Sequence, residues 1–348
     1  MTLTRRQLIT AAGTLTAAAG VSSLSTAAMS SVATIKPRKL QPGMTVGLVT
    51  PASNAPENVD VMAAMELVQS LGFEARAADN LFSRNQYLAG TDTQRAQDLN
   101  AMFADPGVDA IFCVRGGYGS PRILRDLDYD LIANNPKVLM GYSDITAILN
   151  AINVVTGLIT MHGPMAGANF SDYSYEQYQR VLVRPTVPAQ IGEPPPFDTR
   201  PGVVERENRL TTIVPGRAEG KLVGGNLSLL VTLIGTPYEP DFHNAILFLE
   251  DVSEPPYSVD RMLTQLWLAG KLEQVAGIVF GKFTDSDYSG NTFSMEDVIR
   301  DRCEPLGVPV LRGTMIGHVQ DQTVVPVGVR ASLDADAGSL TLLESAVV

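Results

Sequence analysis

The stretch PKVLMGYSDITAILNAI, residues 136–152, decides the fold. Val138 to Met140 is a short apolar run that reads as a buried strand, Gly141 permits a tight turn, and Asp144 and Thr146 suit the first turn of a helix. A strand that breaks this sharply into a helix puts Ser143 on a nucleophile elbow. Its hydroxyl then stands above the sheet, and the backbone N–H of Asp144 points toward any oxyanion that forms there. The competing reading is that Ser143 and Asp144 only cap the helix, and the surrounding sequence weighs against it.

Outward from this unit, the chain from Met44 alternates strands and helices. MTVGLVTPAS is a strand ending in a Pro/Ser turn, VDVMAAMELVQSLG a helix closed by Gly72, DTQRAQDLNAMFADPG a second helix, and VDAIFCV a second strand. The loop RGGYGS, a helix over PRILRDLDYDLIANNP and the Ser143 unit follow. This alternation predicts an α/β fold, a doubly wound and mostly parallel sheet whose functional groups gather at the carboxyl ends of the strands. RGGYGS and GYSD both lie at such ends, so they can face one crevice.

Between about residues 170 and 212 the texture changes. The segment VLVRPTVPAQIGEPPPFDTRPGVVERENR is Pro-rich and breaks any long period, as an inter-domain connection does. Beyond Ile213, AILFLEDV, AGIVFGKF, VGVRASLDAD and GSLTLLES read as strands, while NLSLLVTLIG and VDRMLTQLWLAG read as helices. The expected division is a nucleophile domain over residues 40–172, a linker over 173–212 and a separate α+β domain over 213–346. No internal repeat is present.

At 348 residues the chain exceeds the usual single-domain size, which fits two cores. Its 26 basic and 37 acidic residues give a net charge of −11. Such a surface disfavours phosphate polyanions, so nucleic acid is not an expected partner. The N-terminus reads TRRQLITAAGTLTAAAGVSSLSTAAMSS: a twin arginine, Arg5-Arg6, a weakly apolar run over residues 8–21, then small residues around Thr26 to Ala28 that suit a peptidase. A membrane span needs about 20 apolar residues, more than this run supplies. Residues 1–31 are therefore expected to be a twin-arginine export signal, cleaved or kept as an anchor, and the mature protein to be periplasmic. That route carries folded proteins, in keeping with two cysteines, Cys113 and Cys303, that form no disulfide or metal framework by spacing and read as structural.

Only three histidines occur, His162, His243 and His318, without ligand spacing, so neither a metal nor another cofactor is expected. GxxxxGK[ST] and GxGxxG are both missing, which makes RGGYGS a poor phosphate loop. For covalent catalysis by serine one histidine suffices: it takes the serine proton and returns it to the leaving amine, while a buried acid orients its ring. His318 follows Gly317 in RGTMIGHVQDQTVVPVG; His162, in TMHGPM at a strand end, is the rival base. Glu250 and Asp251 both end the run AILFL, and either could reach a crevice, cap a loop or pair with Arg261. Local pattern does not choose between them. Gly116, Gly117 and Gly119 could bring backbone N–H groups to the substrate and complete an oxyanion hole with Asp144. Arg115 is a candidate for holding a terminal carboxylate, or else a brace for its loop, and the adjoining Tyr118 is a candidate substrate contact.

The strings RGGYGSPRIL, PKVLMGYSDITAI, MHGPM, EGKLVGGNLSLLVTLIGTP, AILFLEDVSEPPYSVDRMLTQL and GHVQDQTVVPVG, in this order, resemble the LD-carboxypeptidases of serine peptidase family S66 over nearly all of residues 40–343. That family includes murein tetrapeptide carboxypeptidases and microcin C self-immunity peptidases. The resemblance implies Ser143 of GYSD as nucleophile, Glu250 of LED as acid and His318 of GH as base. It also implies an N-terminal domain like that of class I glutamine amidotransferases, a C-terminal swivelling domain and a homodimer. The implied reaction releases a C-terminal D-amino acid, D-alanine from murein tetrapeptide, through an acyl-enzyme. A second branch of the family implies other acylated amino acids or peptidyl-nucleotide substrates, with specificity set around residues 170–209. An exported wall-peptide binder without turnover is the rival of a different class, and the three intact triad positions speak against it. Two departures stand out. The leader is one, since familiar relatives act in the cytoplasm. The other is Met315-Ile316, where relatives carry an aromatic before the glycine, a change expected to reshape the pocket and leave the base intact.

Overall fold

The computed structural model describes residues 32–287 and 289–348; the export signal expected over residues 1–31 lies outside them. The first half runs β1 (Thr45–Val49), α1 (Asn58–Ser70), β2 (Glu74–Ala77), α2 (Asp92–Ala104), β3 (Ala110–Cys113), α3 (Tyr129–Asn134), β4 (Val138–Gly141), α4 (Thr146–Thr156) and β5 (Thr160–His162). The strands β2, β1, β3, β4 and β5 are parallel neighbours in that order. Every residue of β3 and β4 is buried, as expected for strands covered by helices on both faces. The edge strand β2 reads EARA and alternates exposed with half-buried residues, so no apolar run announces it.

The chain continues through α5 (Asp172–Tyr178), β6 (Ala189–Ile191), β7 (Thr211–Val214), β8 (Arg217–Asn226), α6 (Leu227–Leu233), β9 (Ile246–Val252), α7 (Pro256–Leu268), β10 (Gly277–Thr284), α8 (Met295–Cys303), β11 (Val310–Arg312), β12 (Val325–Val327), β13 (Arg330–Asp334) and β14 (Ser339–Leu342). The second sheet is ordered β6-β14-β13-β8-β9-β10-β11-β7, with a parallel centre from β8 to β11 and antiparallel strands at both edges. The two sheets make the mixed α/β architecture expected from the alternating pattern.

Three local readings differ from expectation. The helix expected over PRILRDLDYDLIANNP is two pieces, a 3-10 segment Ser120–Asp126 and α3. Asp128 divides them, because its carboxylate accepts the Leu131 N–H at 2.9 Å and caps α3. The segment read as a linker contains α5 and also β6, which pairs with β14 at the edge of the second sheet. Finally, β12, from the segment assigned to the second domain, pairs antiparallel with β5 in the first sheet. Periodicity reports that a strand exists, not which sheet it joins, and Pro326 suits the edge position because it has no N–H to leave unpaired.

Candidate active site

The elbow forms where β4 ends. A Cβ on Gly141 would stand 3.0 Å from Ile145 Cγ2 and 3.2 Å from Cys113 Cβ, so glycine eases the close packing of the strand end against the turn that follows. Tyr142 is extended, Ser143 has φ +60°, and a tight 3-10 turn, Ser143–Ile145, leads into α4. A non-glycine residue in the left-handed region is strained, and such residues persist where their surroundings over-determine them. Ser143 is half-buried at the carboxyl end of the first sheet.

The RGGYGS loop is packed against this serine. A Cβ on Gly116 would lie 3.0 Å from Ser143 Cβ and 3.3 Å from both Ser143 Oγ and the Asp144 nitrogen, so backbone approaches the hydroxyl only because no side chain intervenes. Ser53, in the turn after β1, holds the loop from below. Its N–H donates to the Gly116 carbonyl at 3.1 Å, and its Oγ accepts the Tyr118 N–H at 3.0 Å. The buried Arg95 donates to the Gly119 carbonyl at 2.9 Å. Asp144, expected as a first-turn acid of the helix, instead turns its buried carboxylate to the Ser120 N–H at 2.7 Å and fastens the far end of the loop. Arg115 donates to the Asn54 carbonyl at 2.9 Å, while Tyr118 is exposed and meets Tyr87 edge-on with ring centroids 5.6 Å apart. Ser53 and Arg95 carry no signature that the sequence would reveal.

The second sheet carries both candidate acids. Along β9, Ile246 and Phe248 face the core shared with the first sheet, while Leu247 and Leu249 face the core beneath α6 and α7. Alternation then sends Glu250 toward Ser143's sheet and Asp251 away from it. Glu250 is fully buried, and its Oε2 lies 2.8 Å from His318 Nδ1. Gly317 makes that approach possible: it has φ +115°, and a Cβ there would come within 2.7 Å of Glu250 Oε2. Burial pushes the Glu250 carboxyl up, but the imidazoles of His162 and His318 outweigh it and hold the group well below the usual carboxylate range. His318 is the firmer partner, since His162 Nε2 stands at 3.5 Å from Oε1.

Asp251 has a different task. Its Oδ1 accepts Asn226 Nδ2 at 2.9 Å and its Oδ2 accepts the Ser228 N–H at 2.9 Å, which anchors the start of α6. Burial pushes its carboxyl up to about 6. The neighbouring Asn226 N–H donates to Thr146 Oγ1 at 3.0 Å, so the end of β8 is tied to the first turn of α4 behind Ser143.

His318 is carried on a loop that the expected linker secures. Ser174, in α5, donates from Oγ to the Gln320 carbonyl at 3.0 Å and accepts the Gln322 N–H at 2.8 Å. The loop also meets the elbow through Tyr142, whose ring lies 4.9 Å from that of His318. Ser143 and His318 share no hydrogen bond in this structure; catalytic contacts commonly tighten only when substrate is bound. His162, the rival base, is fully buried, whereas His318 is partly open to solvent. At the departure Met315-Ile316 both residues are buried, Ile316 against Gly281. Among the described residues no group of three or more His, Cys, Asp or Glu side chains could hold a metal ion. Cys113 and Cys303 are both free and buried.

Residues 46–163 match the family model described as the LD-carboxypeptidase N-terminal domain, and residues 219–333 the one described as the LD-carboxypeptidase C-terminal domain. The chain is 39% identical over 314 residues to a protein of Bacillus subtilis (strain 168) named "Probable murein peptide carboxypeptidase", across 90% of this chain and 95% of the relative. It is 33% identical over 301 residues to the murein tetrapeptide carboxypeptidase of Pseudomonas aeruginosa, across 84% of this chain and 93% of that one. Among solved structures, MccF in complex with glutamyl sulfamoyl guanosine matches with a TM-score of 0.80 at 27% identity, across 90% of this chain and 99% of that one.

Proposed function

This chain belongs to the LD-carboxypeptidase family, and from that membership we propose that it is a serine carboxypeptidase releasing the C-terminal D-alanine of murein tetrapeptide through an acyl-enzyme. The observation that carries the reading is the buried Glu250 held 2.8 Å from His318 Nδ1, on a loop that touches the Ser143 elbow through Tyr142. With Nδ1 engaged, Nε2 is the nitrogen left to take the Ser143 proton as Oγ attacks the scissile carbonyl and to return it to the leaving amine. Glu250, kept anionic, steadies the imidazolium in between. The N–H groups of Asp144, Gly116 and Gly117 receive the oxyanion, where Gly116 is already pressed against Ser143 Oγ. Arg115 and Tyr118 are both exposed on the loop and are assigned to the substrate's terminal carboxylate and backbone, while the Arg115 bond to the Asn54 carbonyl fits its alternative role as a brace.

A second substrate class, acylated amino acids or peptidyl nucleotides, is favoured by the likeness to MccF with its sulfamoyl guanosine ligand. The homodimer belongs to this reading through the family alone. A fluorophosphonate probe tests the serine chemistry: one adduct per chain on Ser143 is expected, and an unlabelled protein would instead support a wall-peptide binder without turnover.

Gly116→Ala is expected to lower kcat by roughly 10²- to 10³-fold, the usual loss when an oxyanion donor is displaced. The added methyl would sit against Ser143 Oγ and the Asp144 nitrogen. Comparable kcat in the variant, measured by amine release, would remove the loop from the oxyanion site.

Export is the remaining part of the reading. Arg5-Arg6 with the weakly apolar run behind it motivates the twin-arginine route, and replacing both arginines by lysine is expected to hold the full-length precursor in the cytoplasm. Fractionation that finds the double variant in the periplasm at normal levels would point to another route.

A further inference from the structure

His162 lies on the other side of Glu250 from His318. Its Nε2 stands 3.5 Å from Glu250 Oε1, and its ring is completely shielded from solvent. Both ring nitrogens, and Glu250 Oε1 itself, are buried without a hydrogen-bond partner. Tyr142 and Phe248 meet the imidazole edge-on, at centroid distances of 6.0 and 5.5 Å, and the Cα of Gly225 closes a third side, where a Cβ would fall 3.2 Å from His162 Cδ2. The hydroxyl of Thr146, near Gly225, accepts the Asn226 N–H. Glu250, Tyr142 and, across the carboxylate, His318 are titratable groups beside the ring.

Buried polar atoms are rarely left unpaired, because each forfeits its hydration without compensation. Here one small closure, from 3.5 Å to roughly 3 Å, pairs two of the three orphans at once if the proton is on Nε2. We propose that His162 is a positioning residue: as the neutral Nε2–H tautomer it donates to Glu250 Oε1 and fixes the carboxylate's rotation, so that Oε2 stays on His318 Nδ1. The acid is thereby held from both sides, by a solvent-reaching imidazole that moves protons and a buried one that does not. A phenylalanine would fill the same space between Tyr142 and Phe248, so packing alone does not call for an imidazole.

This inference rests on Glu250 acting as the acid, and its spectroscopic arm is read without turnover, so the two can fail separately. With only three histidines in the sequence, their ring nitrogens can be resolved by ¹⁵N NMR of the full chain. The expected spectrum has His162 protonated on Nε2 and bare on Nδ1 at neutral pH, with the Nε2 proton shifting in Glu250→Gln. His162→Phe is expected to lower kcat roughly ten- to a hundredfold, the usual weight of a group that orients a functional residue, with KM within about twofold. His162→Gln, which returns a donor near the Nε2 position, is expected to recover most of that loss. An Nδ1–H tautomer, an unchanged kcat in His162→Phe, or equal losses in the Phe and Gln variants would each overturn the proposal. Should His162→Phe fail to fold, the tautomer in the unmodified protein decides alone.

Discussion

Replacement of Ser143 by alanine is expected to abolish turnover while the protein stays folded and still binds substrate. The residue sits at φ +60°, and alanine carries the same backbone strain there as serine, so the elbow itself should survive. A half-buried hydroxyl also leaves little cavity when removed. What disappears is the covalent step, and losing a member of a catalytic triad typically lowers the rate by about 10⁴- to 10⁶-fold. Amine release from a peptide substrate, with binding followed by calorimetry, separates the two effects. A variant within tenfold of the unmodified rate would end the assignment of Ser143 as nucleophile.

The second large effect divides two adjacent acids. Glu250→Gln keeps the shape of the side chain but removes the charge beside His318 and admits the wrong tautomer, for a loss of roughly 10²- to 10⁴-fold in kcat. Asp251→Asn acts elsewhere. All four hydrogen bonds that reach the Asp251 carboxylate from Asn226, Ser228 and Val252 come from donors, and an amide nitrogen in place of either oxygen would face them. The expected result is about 1–3 kcal/mol of lost stability with kcat nearly intact. Thermal melts and kinetics on both variants read the two quantities independently. If Asp251→Asn is the inactive protein and Glu250→Gln the nearly normal one, the triad is wrong by one residue.

The reason these acids look alike in the sequence also explains how far the sequence carries. Neighbours on a strand point to opposite faces, and knowing which face meets the crevice requires knowing what packs on each. Only the fold shows that Ile246 and Phe248 line up with Glu250 toward the first sheet, while Leu247 and Leu249 line up with Asp251 toward α6. The elbow was legible because its signal is local: an apolar run, a closing glycine, then residues that open a helix. Strand β2 was not, because EARA has no apolar period, nor was the placement of β12, because sheet membership is a long-range property. Ser53 and Arg95 act through a hydroxyl and a guanidinium that meet backbone atoms far along the chain, and no spacing rule marks such contacts.

Family resemblance chose Glu250 and His318 over Asp251 and His162. Geometry offers independent support for the same pair, through the 2.8 Å contact at Glu250 and the close approach of Gly317. It also gives the rival histidine a place of its own against the same carboxylate.

Incubation of the purified protein with disaccharide-tetrapeptide, followed by mass spectrometry of the product, tests the central claim most directly. The account predicts loss of a single alanine residue from the C-terminus, dependent on Ser143 and unaffected by chelators. A tetrapeptide that remains whole after prolonged incubation, with an enzyme whose Ser143 still reacts with the phosphonate probe, would contradict it.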